Sequence, residues 1–284
     1  MKLSIPVQET IKKRCSVRTF EPKSLLPADK EKLLHYMDTL SNPFGAAVNL
    51  HIAEKGLNDK GEKLGTYGVI KGANTFLGVS IPQNESELLA AGYEFENLIL
   101  YATDMGLGTV WLVATFSRDS FSSAMKIGKD DYFIAISPVG YPSDRPTVKE
   151  KLMRKTLKAS SRKPWAELFF DERFHTPLTP ERAGNYSAPL EMLRLAPSAT
   201  NAQPWRVLKS GNAYHFYETH KKNVSQDEAM IKQVDLGIGL SHFHQTALEI
   251  GLKGRFEEIS EASDMAPEDF YYMISWAGGR FLCV

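Results

Sequence analysis

The residue types best suited to chemistry stand in two places far apart in the 284-residue chain. The first is RCSVRTF, residues 14–20. Read as an extended segment it sends Arg14, Ser16 and Arg18 to one side, because strand side chains repeat with period two. Two guanidinium groups offer forked, permanently charged donors and a hydroxyl adds a third, so the set suits a phosphate. The same pattern also serves as an ordinary basic surface strand. The second place is APSATNAQPW, residues 196–205. Its two prolines fix their own φ and bias Ala196 and Gln203 toward extended backbone, so the loop reads as stiff. Ser198, Thr200, Asn201 and Gln203 can both donate and accept, which suits a flat heteroaromatic ligand with imide and carbonyl edges. They equally suit a helix-ending loop that satisfies its own backbone.

Two further basic points accompany these segments. Lys71 precedes Gly72 in a glycine-rich stretch where backbone can approach a ligand, although a solvent-facing lysine reads the same way. Residues 143–163 are polar and basic and read as a linker or exposed arm. Their end, Ser160-Ser-Arg162-Lys163, is a second candidate phosphate-binding point.

The elements that must position these residues follow from periodicity and breakers. Pro6 opens a short helix over 6–14, and a second helix runs over 27–40. Residues 48–53 and 75–81 read as strands, with a polar turn at 57–62. The longest helix spans 85–105, apolar on more than one face and stopped at Gly106-Leu-Gly108. Residues 132–140, YFIAISPVG, form a buried strand, and the 196–205 loop joins an amphipathic helix to a strand at 205–208.

Composition narrows the classes. Lys plus Arg and Asp plus Glu are both 34, so no bulk basic field points to nucleic acid. Two cysteines and no ligand cluster argue against a disulfide scaffold or a structural metal. No segment has signal-peptide or membrane-spanning character, so a cytoplasmic protein is expected. His242 and His244, two apart on a helix, do not share a face and read as core or surface residues.

The second half replays the first. Residues 92–106, GYEFENLILYATDMG, correspond to 237–251, GIGLSHFHQTALEIG, and the strand at 132–140 is echoed at 271–278. The loop SNPFG at 41–45 takes the slot of 196–205. Halves at 1–163 and 164–284 are therefore expected, the first with the arginine clamp and the second with the full polar loop. A shared α+β patterning without duplication is the alternative.

With these residues laid out, the chain resembles the flavin-dependent nitroreductase superfamily. The match rests on RCSVRTF, APSATNAQPW, GLGTVWL, ISPVGYP and SRKPWAELFF. The resemblance implies an α+β, three-layer sandwich with two pseudo-symmetric halves fused in one chain, a pseudo-dimer. It implies one FMN per chain between the halves, with NAD(P)H as transient reductant. Arg14, Ser16 and Arg18 would hold the phosphate and ribityl end, and Arg162 and Lys163 would close on the phosphate. Pro197, Ser198, Ala199 and Asn201 would line the ring and its pyrimidine edge. Trp111, Leu112 and Val113 would pass along the other side, and Lys71 would stand near N1 and O2. The implied reaction is ping-pong reduction of a small electron-poor acceptor, nitroaromatic or quinone-like, with no protein nucleophile or acid–base pair. The alternatives are a flavin-binding or flavin-buffering protein with little turnover, reductive dehalogenation, and flavin fragmentation.

Overall fold

A computed structural model describes residues 2–54, 64–82, 87–220 and 223–279. The polar turn expected at 57–62 lies outside the described residues. Pro6 precedes α1 (Val7–Lys13), and Pro27 opens α2 (Pro27–Thr39), each proline supplying a φ already suited to a helix start. β1 (Asn49–Glu54) and β2 (Thr75–Pro82) pair antiparallel. α3 (Leu88–Asp104) follows and is buried on nearly every face, as its apolar content requires. β3 (Gly108–Thr109), α4 (Arg118–Met125) and β4 (Asp131–Gly140) complete a sheet of order β1-β2-β4-β3.

The basic arm is more than a linker. Val148–Thr156 forms α5, capped by the Thr147 hydroxyl, which accepts the Glu150 N–H. Glu150 in the first turn and Arg154 and Lys155 in the last complement the helix dipole. The density of charge masks this local helical logic in a composition-based reading.

The second half runs α6 (Trp165–Leu168), β5 (Phe169–Asp171), β6 (Arg173–Pro177), α7 (Pro180–Ala183), α8 (Ser187–Leu195), β7 (Trp205–Ser210) and β8 (Ala213–Thr219). It ends with α9 (Gln226–Glu249), β9 (Gly254–Glu257), α10 (Glu261–Asp264) and β10 (Phe270–Gly278). Its sheet has the order β6-β5-β7-β8-β10-β9. α3 packs against α9, with β2 beside the first helix and β8 beside the second, so helices separate two sheets in three layers. One apolar cluster runs through both halves, from Leu3 to Trp276. No helix among the described residues is long and apolar enough to cross a membrane.

The two halves are related where α3 and α9 cross. A Cβ on Gly92 would overlap the Val234 carbonyl oxygen, and one on Gly237 would overlap the Leu89 carbonyl oxygen. A single shift of 145 positions relates these pairs (92 to 237, 89 to 234). The same shift relates the helix ends. The Leu107 N–H donates to Ala102 O at 2.9 Å and the Leu252 N–H to Ala247 O at 2.9 Å, past Gly106 and Gly251 with φ of 79° and 80°. It also relates two buried polar contacts, His242 Nε2 to Glu96 Oε1 at 2.9 Å and Ser241 Oγ to Asn97 Oδ1 at 2.8 Å. The close approach therefore needs glycine at both crossing positions.

Candidate functional site

Extended backbone at 16–20 is enforced by neighbours on both sides. Val17 N–H donates to Thr109 O at 2.9 Å, and Lys71 exchanges backbone bonds with Arg18 O and Phe20 N at 2.9 and 2.8 Å. Val17 packs on Gly108, where a Cβ would collide with it. Arg14, Ser16 and Arg18 consequently face a cavity of about 890 Å³.

The same cavity is lined by Trp111, Leu112 and Val113 after β3, by Arg162 at the end of the arm, and by Pro197, Ser198, Ala199 and Asn201 from the loop after α8. Met230, Val234, Asp235 and Ile238 of α9 add a largely apolar wall. Segments nearly two hundred residues apart thus meet at one site. Lys71 and Lys163 are placed elsewhere. Lys71 is exposed and serves the site through its backbone only. Lys163 turns to Gln203, its N–H donating to Gln203 Oε1 at 2.7 Å and its Nζ to Gln203 O at 3.3 Å.

The cations of the cavity are held in tension. Arg14 and Glu96 side chains are 7% and 0% exposed, with Arg14 Nε 3.8 Å from Glu96 Oε1. Glu96 also accepts from Trp111 Nε1 at 2.7 Å and meets His242 Nε2 at 2.9 Å, so one carboxylate orients an arginine and an indole at the cavity. The Nε atoms of Arg14 and Arg18 are nevertheless buried without a hydrogen-bond partner. Arg162 donates to the carbonyls of Leu195, Ala159 and Ser161. Burial, together with the nearby charges of Arg14 and Arg194, pulls its guanidinium down to about 10. Burial likewise lowers Arg18, with Arg154 reinforcing the shift and Glu150 opposing it. Like charges crowded in a partly dry space are stabilised by an anion placed between them.

The polar loop is fastened at several points. Asp235 accepts the Ala199 N–H at 2.9 Å, and Ser198 Oγ accepts the Gln203 N–H at 2.9 Å. Asn201 Nδ2 donates to Lys158 O at 2.9 Å and Ser161 O at 3.1 Å, tying the loop to the arm. Ala196 is extended, with φ −55° and ψ 145°. Gln203 departs from expectation, since Thr200, Asn201 and Gln203 all take positive φ, of 50°, 58° and 49°. Side-chain and backbone bonds override the pre-proline bias, and such left-handed residues persist only where surroundings over-determine them. The Asn201 and Gln203 amides thereby serve the loop's own architecture, and of the two Asn201 also lines the cavity.

Three contributors escape a motif-based reading: Glu96, Asp235 and α5. A carboxylate among apolar neighbours in each helix, Glu96 in α3 and Asp235 in α9, was the available signal for the first two. Burial pushes the Asp235 carboxyl up to about 8. Both α9 histidines are buried, His242 between Glu96 and Met192 O and His244 against the Tyr93 hydroxyl at 2.7 Å. Chemically, the cavity offers cations for an anionic group, two apolar walls for a flat body, and Asp235 as the lining carboxyl among the described residues.

A family model described as "Putative TM nitroreductase" matches residues 6–247. The fold is similar to a crystal structure described as "a putative nitroreductase" from Thermotoga maritima MSB8, at 20% identity and a TM-score of 0.61, over 98% of this chain and 95% of that one. An FMN complex of a protein with the same description from Desulfovibrio desulfuricans matches at 20% identity and a TM-score of 0.39, over 52% of this chain and 96% of its own. An FMN-dependent nitroreductase from Clostridium difficile R20291 matches at 16% and 0.38, over 51% and 94%. No curated protein matches the chain. A family match that extends over both halves, and through every segment of the cavity described above, places this chain in the nitroreductase family.

Proposed function

We propose that the chain is an oxidoreductase that binds one FMN in this cavity and uses it to carry hydride from NAD(P)H to a small electron-poor acceptor of nitroaromatic or quinone type. The observation that carries the reading is the pair of arginines, Arg14 and Arg18, whose buried Nε atoms have no hydrogen-bond partner, lining a cavity of about 890 Å³. That size lies within the roughly 300–1,000 Å³ of small-molecule sites.

The residues fit the group. Arg14, Ser16 and Arg162 would hold the phosphate, where the mutual repulsion of the two guanidiniums favours an anion. The 111–113 segment and the 197–199 turn would cover the two faces of the ring system, with Arg18 adding positive charge at its polar edge. Asp235 keeps the turn in place through the Ala199 N–H, and Glu96 keeps Trp111 and Arg14 in place. When bound, FMN supplies the hydride chemistry, and the protein supplies binding, orientation and electrostatics.

One FMN per chain is favoured because the pseudo-symmetric counterpart is packed with rings. Phe256, 145 positions after Trp111, contacts Phe44 at 5.3 Å and Trp276 at 5.1 Å between ring centroids. His244 contacts both Phe256 and Trp276, at 5.2 and 5.1 Å. The halves at 1–163 and 164–284 then contribute unequal parts to a single site. Mixing the FMN-loaded protein with NADH or NADPH in a stopped-flow spectrometer should bleach the flavin absorbance within seconds and restore it on addition of a nitroaromatic. Oxidised absorbance persisting for minutes with either nucleotide would favour the flavin-buffering reading instead.

A further inference from the structure

The cavity holds more cationic charge than one phosphate uses. Arg14 and Arg162 form one crowded pair. Arg18 and Arg154 form another, with Lys149 beside them on α5. The groups facing this second pair are few: Glu150 turns inward to accept from the Thr19 hydroxyl at 2.7 Å, and Lys149 donates to Gly68 O at 2.9 Å. One carboxylate against three cations leaves the mouth positive.

That excess continues outward. Arg145, Lys151, Lys155 and Lys158 are exposed along the arm, with Asp144 the exposed acid of the 143–163 stretch. On α5, Leu152 and Met153 line the cavity directly beside Arg154, and Leu152 is 64% exposed. An apolar shelf flanked by cations at the rim fits a purine with phosphate attached. It fits poorly to a small neutral acceptor, which would lie wholly inside.

We propose that Lys149 and Arg154, with the Leu152 and Met153 shelf, bind the adenosine 2′-phosphate end of NADPH, and that this rim makes NADPH the preferred reductant over NADH. The inference rests on the FMN reading for its catalytic consequence, since the phosphate of FMN takes the Arg14 and Arg162 point. The binding claim stands on the rim alone. Ionic contacts at an exposed mouth are screened, so the preference weakens as salt rises.

The test is titration calorimetry of the protein as purified, with adenosine 2′,5′-bisphosphate and adenosine 5′-monophosphate as probes. At low salt the bisphosphate should bind about tenfold more tightly, an amount worth about 1.4 kcal/mol. Arg154→Ala should remove most of that advantage, and Lys129→Ala, which changes the same charge away from the cavity, should retain it. Equal affinity for the two probes, or an Arg154→Ala variant that keeps the full advantage, overturns the proposal. Flavin content is read on the same sample, so that absence of FMN counts against the cofactor assignment while the probe titration still decides the rim. In the FMN-loaded protein, kcat/KM for NADPH over NADH should fall by a similar factor in Arg154→Ala.

Discussion

Arg14→Ala isolates the charge on which the cavity depends. The side chain is 7% exposed, its Nε has no hydrogen-bond partner, and the nearest carboxylate oxygen is 3.8 Å away. A charge-assisted hydrogen bond from such a group to a phosphate is worth about 1.5–3 kcal/mol. At about 1.4 kcal/mol per tenfold, the FMN dissociation constant should rise by roughly 10- to 150-fold. Two effects move the result within that range. Arg162 loses a repelling neighbour and holds the anion somewhat better, which favours the low end. Glu96 loses its cation but keeps Trp111 and His242, so the apo protein is destabilised by an unpaired buried charge. Circular dichroism and a urea melt on the apo variant separate the stability cost from the binding cost. Arg14→Lys, which keeps charge without the fork, should fall between wild type and alanine. The assay is quenching of FMN fluorescence during titration of apo protein. A folded Arg14→Ala variant whose affinity stays within about threefold of wild type would refute the assignment of Arg14 to the phosphate.

Other outcomes follow from the same geometry. Gly92→Ala and Gly237→Ala should each destabilise by about 1–3 kcal/mol or more, because each Cβ meets a backbone carbonyl across the α3–α9 crossing. Unfolding free energies from urea melts within about 0.5 kcal/mol of wild type for either would contradict the close approach. Asp235 stays protonated up to about 8 when folded, whereas the unfolded carboxyl ionises near 4. The folded state therefore retains a proton that the unfolded chain releases, so wild-type stability should fall relative to Asp235→Asn as pH rises between about 4 and 8. Urea melts across that window should show the difference shrinking with pH, and a flat difference would show that Asp235 titrates normally.

Much of this was readable in the sequence because local rules and tertiary demands agree. The period-two placement of Arg14, Ser16 and Arg18 needs extended backbone, and the neighbours at Lys71 and Thr109 supply it. The equal glycine spacing of 92–106 and 237–251 marks both the crossing and the helix ends. What escaped was set by long-range contact. Lys71 sits beside a glycine, yet its side chain faces solvent because the backbone there is used to hold residues 18–20. Lys163 follows Arg162 directly, but consecutive residues point apart, and Gln203 claims it. Gln203 itself precedes a proline and should be extended; hydrogen bonds within the loop hold it at φ 49°. The helix at 148–156 was obscured because its apolar residues Val148 and Leu152 are exposed instead of buried in a core.

Two unequal halves that build one flavin site fix the flavin stoichiometry of the chain. Denaturing the purified protein and measuring released FMN against chain concentration tests it most directly. The value should be near one per chain and be retained through gel filtration. A value near two, with the ring-packed counterpart also loaded, or a chain that takes up no FMN when it is supplied in excess, would contradict it.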